Sequence, residues 1–355
     1  MIMMKGKPLA VPVIQGGMGI GVSLGGLAGA VAACGGMGVI SGAHPGFAAP
    51  NFWAEPLKAN LSALKEQIEK AKKIAEGKGL VALNAMVATT HYAEMVGAAI
   101  AAGIDAIISG AGLPTELPAL AKGSGAALAP IVSSAKAART ICRLWDRRHG
   151  VCPDFIVVEG PEAGGHLGFD QKELQNGSAQ TLEEILPGVL AEAAPFAQKY
   201  QQEIPVFVAG GVYTGGDIAR FVGMGAAGAQ VATRFIATDE CDASPRYKEI
   251  LIAAKQEDIC LVKSPVGMPG RALRSPLVER LGLNIRTPIK KCIDCLLPCT
   301  PATTPYCITS ALIAAVEGDW ENGLFFCGSN AFRLDRMMPV RELMKELTQG
   351  WWKNQ

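Results

Sequence analysis

The chain has 355 residues, enough for one large barrel or a two-domain arrangement with a sizeable buried core. Its 33 basic residues are balanced by 32 acidic ones, which leaves no field suited to gripping nucleic acid or an anionic membrane, so the expected partner is a small molecule. Glycine fills 42 positions, well above the roughly 7% usual in soluble proteins, and so many glycines imply tight turns and close backbone approaches.

Polar residues, glycine or proline break every apolar run before it reaches the roughly 18 residues of a membrane span, and the opening residues lack a charged-then-apolar leader pattern. The expectation is a soluble cytoplasmic protein whose ten cysteines are not disulfide-bonded, with monomer and homodimer both left open.

In chain order, Val11 to Ile14 reads as a first short strand ending in Gln15-Gly16-Gly17-Met18-Gly19, followed by a helix over Leu24 to Ala33 that stops at Gly35-Gly36. A second strand, Gly38 to Ser41, leads through irregular sequence from Pro45 to Asn60 into an amphipathic helix over Leu61 to Glu76. The third strand, Leu80 to Met86, carries Asn84 inside its apolar run, and a helix over Tyr92 to Ala102 precedes the fourth, Ala106 to Ser109. The fifth strand is Ala127 to Val132, with a helix from Ala135 to Arg148 behind it. The sixth, Phe155 to Val158, breaks into Glu159 and a run of glycines that holds a single histidine, His166. A helix over Leu182 to Lys199, a seventh strand from Pro205 to Ala209, a short helix over Gly216 to Met224 and an eighth strand from Gly228 to Val231 complete the repeat.

Eight short apolar strands, each followed by a glycine or small polar cluster and a helical pattern, predict a parallel (β/α)8 TIM barrel, with a doubly wound open sheet as the alternative. Beyond residue 245 the rhythm stops. A helix is expected over Glu249 to Gln256, and Pro, Gly and Arg crowd residues 263–291. This divides the chain into a barrel (1–245), a lid or small subdomain (246–310) and C-terminal helices that return to the barrel (311–355), including Ile308 to Gly318 and Val340 to Thr348. Lys263 to Arg271 is the segment expected to lie over the substrate, its cations facing an anionic group or solvent.

In such barrels the site lies at the C-terminal ends of the strands, and phosphate is commonly held by the loops after the seventh and eighth. Here those loops are Ala209-Gly210-Gly211 and Ala232-Thr233-Arg234, which read either as a cradle for one phosphate or as plain tight turns. The four motifs Ile14-Gln15-Gly16-Gly17-Met18-Gly19, Glu162-Ala163-Gly164-Gly165-His166-Leu167-Gly168, Ala209-Gly210-Gly211-Val212 and Gly228-Ala229-Gln230-Val231-Ala232-Thr233-Arg234-Phe235 resemble the nitronate monooxygenase family, formerly 2-nitropropane dioxygenases. The FMN-dependent enoyl-ACP reductases look similar over the same segments. The resemblance covers about residues 10–240 and implies FMN across the strand ends. It also implies the backbone of Gly17 and Met18 along the flavin, Asn84 at its polar edge, Gly165 and His166 at the ring, and Gly210, Gly211, Ala232 and Thr233 around the phosphate. Glycine is usual in the family where Ala232 stands.

His166 is read as a base or hydrogen-bond donor that titrates near neutrality, whereas His44, His91 and His149 have no such setting; His44, just after the second strand and before Pro45, either edges into the pocket or lies at the surface, and the surface is the placement expected. A second signal is Cys292-x2-Cys295-x3-Cys299-x7-Cys307, four thiols within 16 residues that could serve zinc or an iron-sulfur cluster, or remain reduced in the lid. Well-studied nitronate monooxygenases lack this cluster. The activity that the resemblance implies is oxidation of alkyl nitronates with O2, the alternatives being NAD(P)H-dependent reduction of enoyl thioesters or a non-catalytic flavin carrier.

Overall fold

The computed structural model describes residues 1–352. Its first element is a hairpin that the sequence does not signal, β1 (Ile2–Met4) and β2 (Lys7–Leu9), paired antiparallel. Then come β3 (Val13–Gln15), β4 (Met37–Ser41), β5 (Leu80–Met86), β6 (Ala106–Gly110), β7 (Ala127–Val132) and β8 (Ile156–Glu159). A two-residue strand, β9 (Gly165–His166), precedes β10 (Val206–Ala209) and β11 (Gly228–Val231), and the excursion beyond carries the hairpin β12 (Ile259–Lys263) and β13 (Pro269–Leu273). Strands β3 to β8, β10 and β11 are all parallel and close into a barrel, β11 pairing with β3. The open-sheet alternative is excluded by that closure.

Alternation along the barrel strands sorts the core into two layers. Ile14, Met37, Val39, Ala82, Ile108, Ala129, Val157 and Phe207 fill the interior, where Phe155 and Phe207 meet edge to face at 5.9 Å. Their neighbours Val13, Ile40, Val81, Ile107, Leu128, Ile156, Val208 and Ala229 face outward to the helices. Met4 and Leu9 join the interior cluster, while Lys5 and Lys7 reach Ala126 O and Asp105 just before two barrel strands. The hairpin therefore covers the N-terminal mouth of the barrel, opposite the end that carries the loops of interest.

The helices follow local chemistry. The helix Ala135–His149 starts at Ser134, whose hydroxyl accepts the Ala137 N–H at 3.1 Å, and stops at Gly150 in the left-handed region. The helix Pro56–Ala75 begins five residues before the expected Leu61, because Pro56 fits a first helical position whose N–H would go unused. The first helix, Gly25–Ala33, has no side-chain cap of its own. Asp242 supplies it from beyond the barrel, accepting the N–H groups of Leu24, Gly26 and Leu27 at 2.8, 3.1 and 3.0 Å. The same helix lies so close to β4 that a Cβ on Gly38 would fall 1.8 Å from the Ala28 carbonyl oxygen.

The helix Pro245–Ile252 buries Tyr247, Ile250 and Leu251 in the barrel's outer core, and Val340–Thr348 does the same with Val340, Leu343, Met344 and Leu347. The segment 259–312 builds a separate apolar cluster around Val262, Ala272, Leu277, Tyr306 and Ile308. Among the described residues no helix is long and apolar enough to cross a membrane.

Candidate active site

A cavity of about 440 Å³ opens at the C-terminal ends of the barrel strands. Gly17, Met18, Asn84, Gly165, His166, Gly210, Gly211, Ala232 and Thr233 all line it, so residues spread over more than 200 positions come together. The fold does this because each sits within a few residues of a strand's C-terminal end.

His166 lies in β9, whose partner is β13: Gly270 stands opposite His166 and Arg271 opposite Gly165. The β12–β13 hairpin is thus hydrogen-bonded to the glycine-rich loop. His166 Nε2 is 2.7 Å from Ser264 Oγ, and the imidazole meets Phe326 edge to face at 5.1 Å. Burial pulls its pKa down to about 4, so the ring is neutral at pH 7 and does not titrate near neutrality as its glycine setting suggests. Arg271 is not free to meet a substrate, because its Nη1 donates to Pro161 O at 2.7 Å and Ala163 O at 2.5 Å and ties the hairpin to the loop. Glu159, at the end of β8, is half-buried and lines the cavity. Burial pushes its carboxyl up to about 8, partly offset by the Arg271 charge.

The loops after β10 and β11 carry the features of an anion cradle. Gly210 and Gly211 adopt φ of +88° and +81°, and a Cβ on Gly211 would lie 2.4 Å from Glu162 Oε2. A third segment, residues 327–330, closes on these loops. Gly328 N–H donates to Thr233 Oγ1 at 3.0 Å, Asn330 Nδ2 donates to Gly211 O at 2.9 Å, and the Ser329 hydroxyl donates to Glu162 Oε2 at 3.2 Å. No local pattern in Cys-Gly-Ser-Asn marks it as part of the site.

At the other side, Met18 spends both backbone polar groups on Ser23: its N–H donates to Ser23 Oγ at 2.7 Å and its carbonyl accepts the Ser23 N–H at 3.0 Å. Gly17 remains as the close-approach residue, since a Cβ there would fall 2.4 Å from the Asn84 Cβ. Gln230 Oε1, buried on β11 against the cavity, has no hydrogen-bond partner among the described residues. An orphaned acceptor, a glycine floor and a left-handed glycine pair fit a flat cofactor with hydroxyl donors and one phosphate, as FMN has.

The cysteines behave otherwise. Among the described residues no group of three or more His, Cys, Asp or Glu side chains is placed to hold a metal, so the zinc or iron-sulfur expectation for Cys292, Cys295, Cys299 and Cys307 is not supported. All four are free thiols at unequal depths. Cys292 is exposed and accepts the Asp294 N–H at 3.4 Å, whereas Cys295 faces the cavity and accepts the Thr309 hydroxyl at 3.2 Å. Burial raises the Cys295 thiol to about 11, which opposes the thiolate a metal needs.

His44 also departs from expectation. It is not an exposed surface residue but a half-buried one that lines the same cavity. Its position just after a barrel strand is the local signal for the pocket placement, and a histidine before a proline does not by itself decide between that and the surface.

Comparison with known proteins gives this geometry its context. The family model for nitronate monooxygenase matches residues 2–350. A Mycobacterium tuberculosis protein named (3aS,4S,5R,7aS)-5-hydroxy-7a-methyl-1-oxo-octahydro-1H-indene-4-carboxyl-CoA dehydrogenase is 30% identical over 76% of this chain, which spans 65% of that protein. A nitronate monooxygenase of Paraburkholderia phytofirmans is 29% identical over 55% of this chain and 48% of its own. The structure of FabK from Thermotoga maritima superposes with a TM-score of 0.72 at 25% identity, covering 96% of this chain and 92% of that one. A nitroalkane oxidase from Streptomyces ansochromogenes shares the fold, with a TM-score of 0.71 at 20% identity over 95% of this chain and 94% of that one. With its family model matched almost end to end and its barrel shared with these enzymes, the chain belongs to the nitronate monooxygenase family of flavin oxidoreductases.

Proposed function

We propose that this protein binds FMN across the C-terminal mouth of its barrel and oxidises alkyl nitronates with O2. The observation that carries the reading is the neutral imidazole of His166 on the wall of a cavity that Glu159, whose carboxyl burial keeps largely protonated at pH 7, also lines. A base whose pKa is about 4 is poorly matched to removing the α-proton of a nitroalkane near neutrality. A nitronate arrives already deprotonated and needs hydrogen-bond donors for its oxygens, and a neutral imidazole keeps one N–H to donate.

The isoalloxazine supplies the electron acceptor when FMN is bound. The chain's own residues do the rest. Gly210, Gly211, Ala232 and Thr233 hold the phosphate, Gly17 permits close approach to the ring, and Asn84 and Gln230 offer polar atoms to it. Gly165 and His166 flank the reacting centre, with Ser264 fixing the imidazole and the β12–β13 hairpin shielding it from bulk water.

A second reading, NAD(P)H-dependent reduction of enoyl thioesters, draws on the Mycobacterium relative named for a carboxyl-CoA substrate and on the extent of the FabK superposition. Anaerobic mixing separates the two. Propane-2-nitronate should bleach the flavin absorbance within one turnover while NADPH leaves it unchanged. Bleaching by NADPH alone would transfer the function to the thioester reading.

A further inference from the structure

His44 follows β4 with its backbone in the left-handed region, φ +47°, a conformation that a side-chain-bearing residue keeps only where its surroundings impose it. Those surroundings are Gly46 and Asn60. A Cβ on Gly46 would fall 2.4 Å from the Ala59 carbonyl oxygen, so glycine is what lets this loop rest on the helix Pro56–Ala75. In that position Gly46 N–H donates to Asn60 Oδ1 at 3.0 Å.

A backbone N–H can only donate, so Asn60 Oδ1 is fixed as an acceptor and its Nδ2 must serve as the donor. Asn60 Nδ2 lies 3.0 Å from His44 Nδ1, which therefore accepts and carries no proton. The ring is kept neutral by burial, with its pKa pulled down to about 4, so its single proton resides on Nε2. Phe52 packs edge to face on the imidazole at 5.4 Å and completes its seating. Asn60 is 5% exposed, so water does not compete for the pair. Among the described residues His44 Nε2 has no partner, and the side chain lines the cavity that holds His166.

We propose that His44 Nε2–H donates a hydrogen bond to an oxygen of the bound substrate, as a second donor beside His166 for a nitronate or a comparable delocalised oxyanion. Asn60 is the positioning residue that fixes the tautomer. The naming of a nitronate rests on the reading above. The donor role itself requires only a substrate with an anionic oxygen at this place.

The test uses the FMN-loaded enzyme and two measurements. Isobutyrate, an unreactive anion whose planar carboxylate stands in for the two oxygens of a nitronate, is titrated while the flavin absorbance is followed, and kcat/KM is measured with propane-2-nitronate. His44→Leu should weaken isobutyrate binding and lower kcat/KM by about a hundredfold, the scale seen when one oxyanion donor is removed. His44→Gln, which can return an N–H near the same place, should recover about tenfold of that loss. Asn60→Asp draws a proton to Nδ1, so with the ring still neutral it should act like His44→Leu, and the imidazole 15N shifts should report the exchanged tautomer rather than an imidazolium, which keeps the Nε2 donor.

Isobutyrate binding unchanged in His44→Leu overturns the proposal, as does a wild-type enzyme that shows no perturbation with isobutyrate. Wild-type enzyme that binds isobutyrate but fails to oxidise the nitronate overturns the functional reading alone, and the titration still decides the role of His44. Should His44→Leu not fold, His44→Gln and Asn60→Asp carry the decision.

Discussion

His166 Nε2 and Ser264 Oγ stand 2.7 Å apart although 98 residues separate them in the chain. Ser264 is itself pinned in the hairpin turn, where its hydroxyl accepts the Val266 N–H at 3.3 Å and its own N–H reaches Met268 O at 3.3 Å. The β12–β13 hairpin, through its turn residue Ser264, therefore orients the imidazole.

Replacing that hydroxyl separates the two roles. Ser264→Ala should lower kcat by between about ten- and a hundredfold, the scale of a small misplacement of a reacting group, while flavin content stays at the wild-type ratio. Steady-state kinetics on flavin-matched samples measures it. Unchanged kcat would show that the contact only fastens the lid.

The glycine pair after β10 makes a prediction about cofactor affinity. Gly211→Ala places a Cβ 2.4 Å from Glu162 Oε2 at φ +81°, whereas Gly216→Ala meets nothing nearer than Thr214 Oγ1 at 3.6 Å. Backbone strain of about 1–3 kcal/mol should weaken FMN binding by roughly ten- to a hundredfold in the first variant and leave the second near wild type. Fluorescence of released flavin reads the difference, and equal affinities would remove Gly211 from the phosphate site.

Stability should depend on pH from both sides. Glu159 has its folded pKa raised from 4.5 to about 8, so its contribution is fully present below about pH 4.5 and is lost as pH rises towards 8. Glu159→Gln should thus raise the melting temperature of the apoprotein more at pH 8 than at pH 5. His166, with its folded pKa lowered from 6.5 to about 4, acts oppositely: stability is complete above about pH 6.5 and falls as pH drops towards 4. His166→Asn should flatten that acid limb. Each pKa unit corresponds to about 1.4 kcal/mol, and a gain in Glu159→Gln confined to acid pH would contradict the assignment.

Asp242 should prove a stability residue rather than a catalytic one. It serves three N–H groups at the start of the helix Gly25–Ala33, and Asp242→Ala should cost about 2 kcal/mol in denaturant unfolding with FMN affinity preserved. Loss of less than about 0.5 kcal/mol would mean that water replaces the cap.

What the sequence alone determined is the barrel and the ring of residues around its mouth. Strand runs such as Phe155 to Val158 are buried on both faces and bounded by glycine, and that information is local. The structure moves this strand by one residue, to Ile156–Glu159. His166, Gly211 and Thr233 were legible because each follows a recognisable strand, and strand ends converge in this fold, whereas Gly17 and Asn84 were singled out through the family resemblance. Only the tertiary structure decided the hairpin over the N-terminal mouth, the early start of the helix at Pro56, the closure of residues 327–330 on Thr233 and Gly211, and the unequal depths of the four clustered thiols. His44 belongs to this second group, since its burial and its tautomer depend on Asn60 and Gly46, which a periodicity argument cannot bring together. The physical reason is common to all of them. Backbone pattern is set by neighbours a few residues away, whereas the depth and protonation of a loop side chain are set by whichever distant segment packs against it.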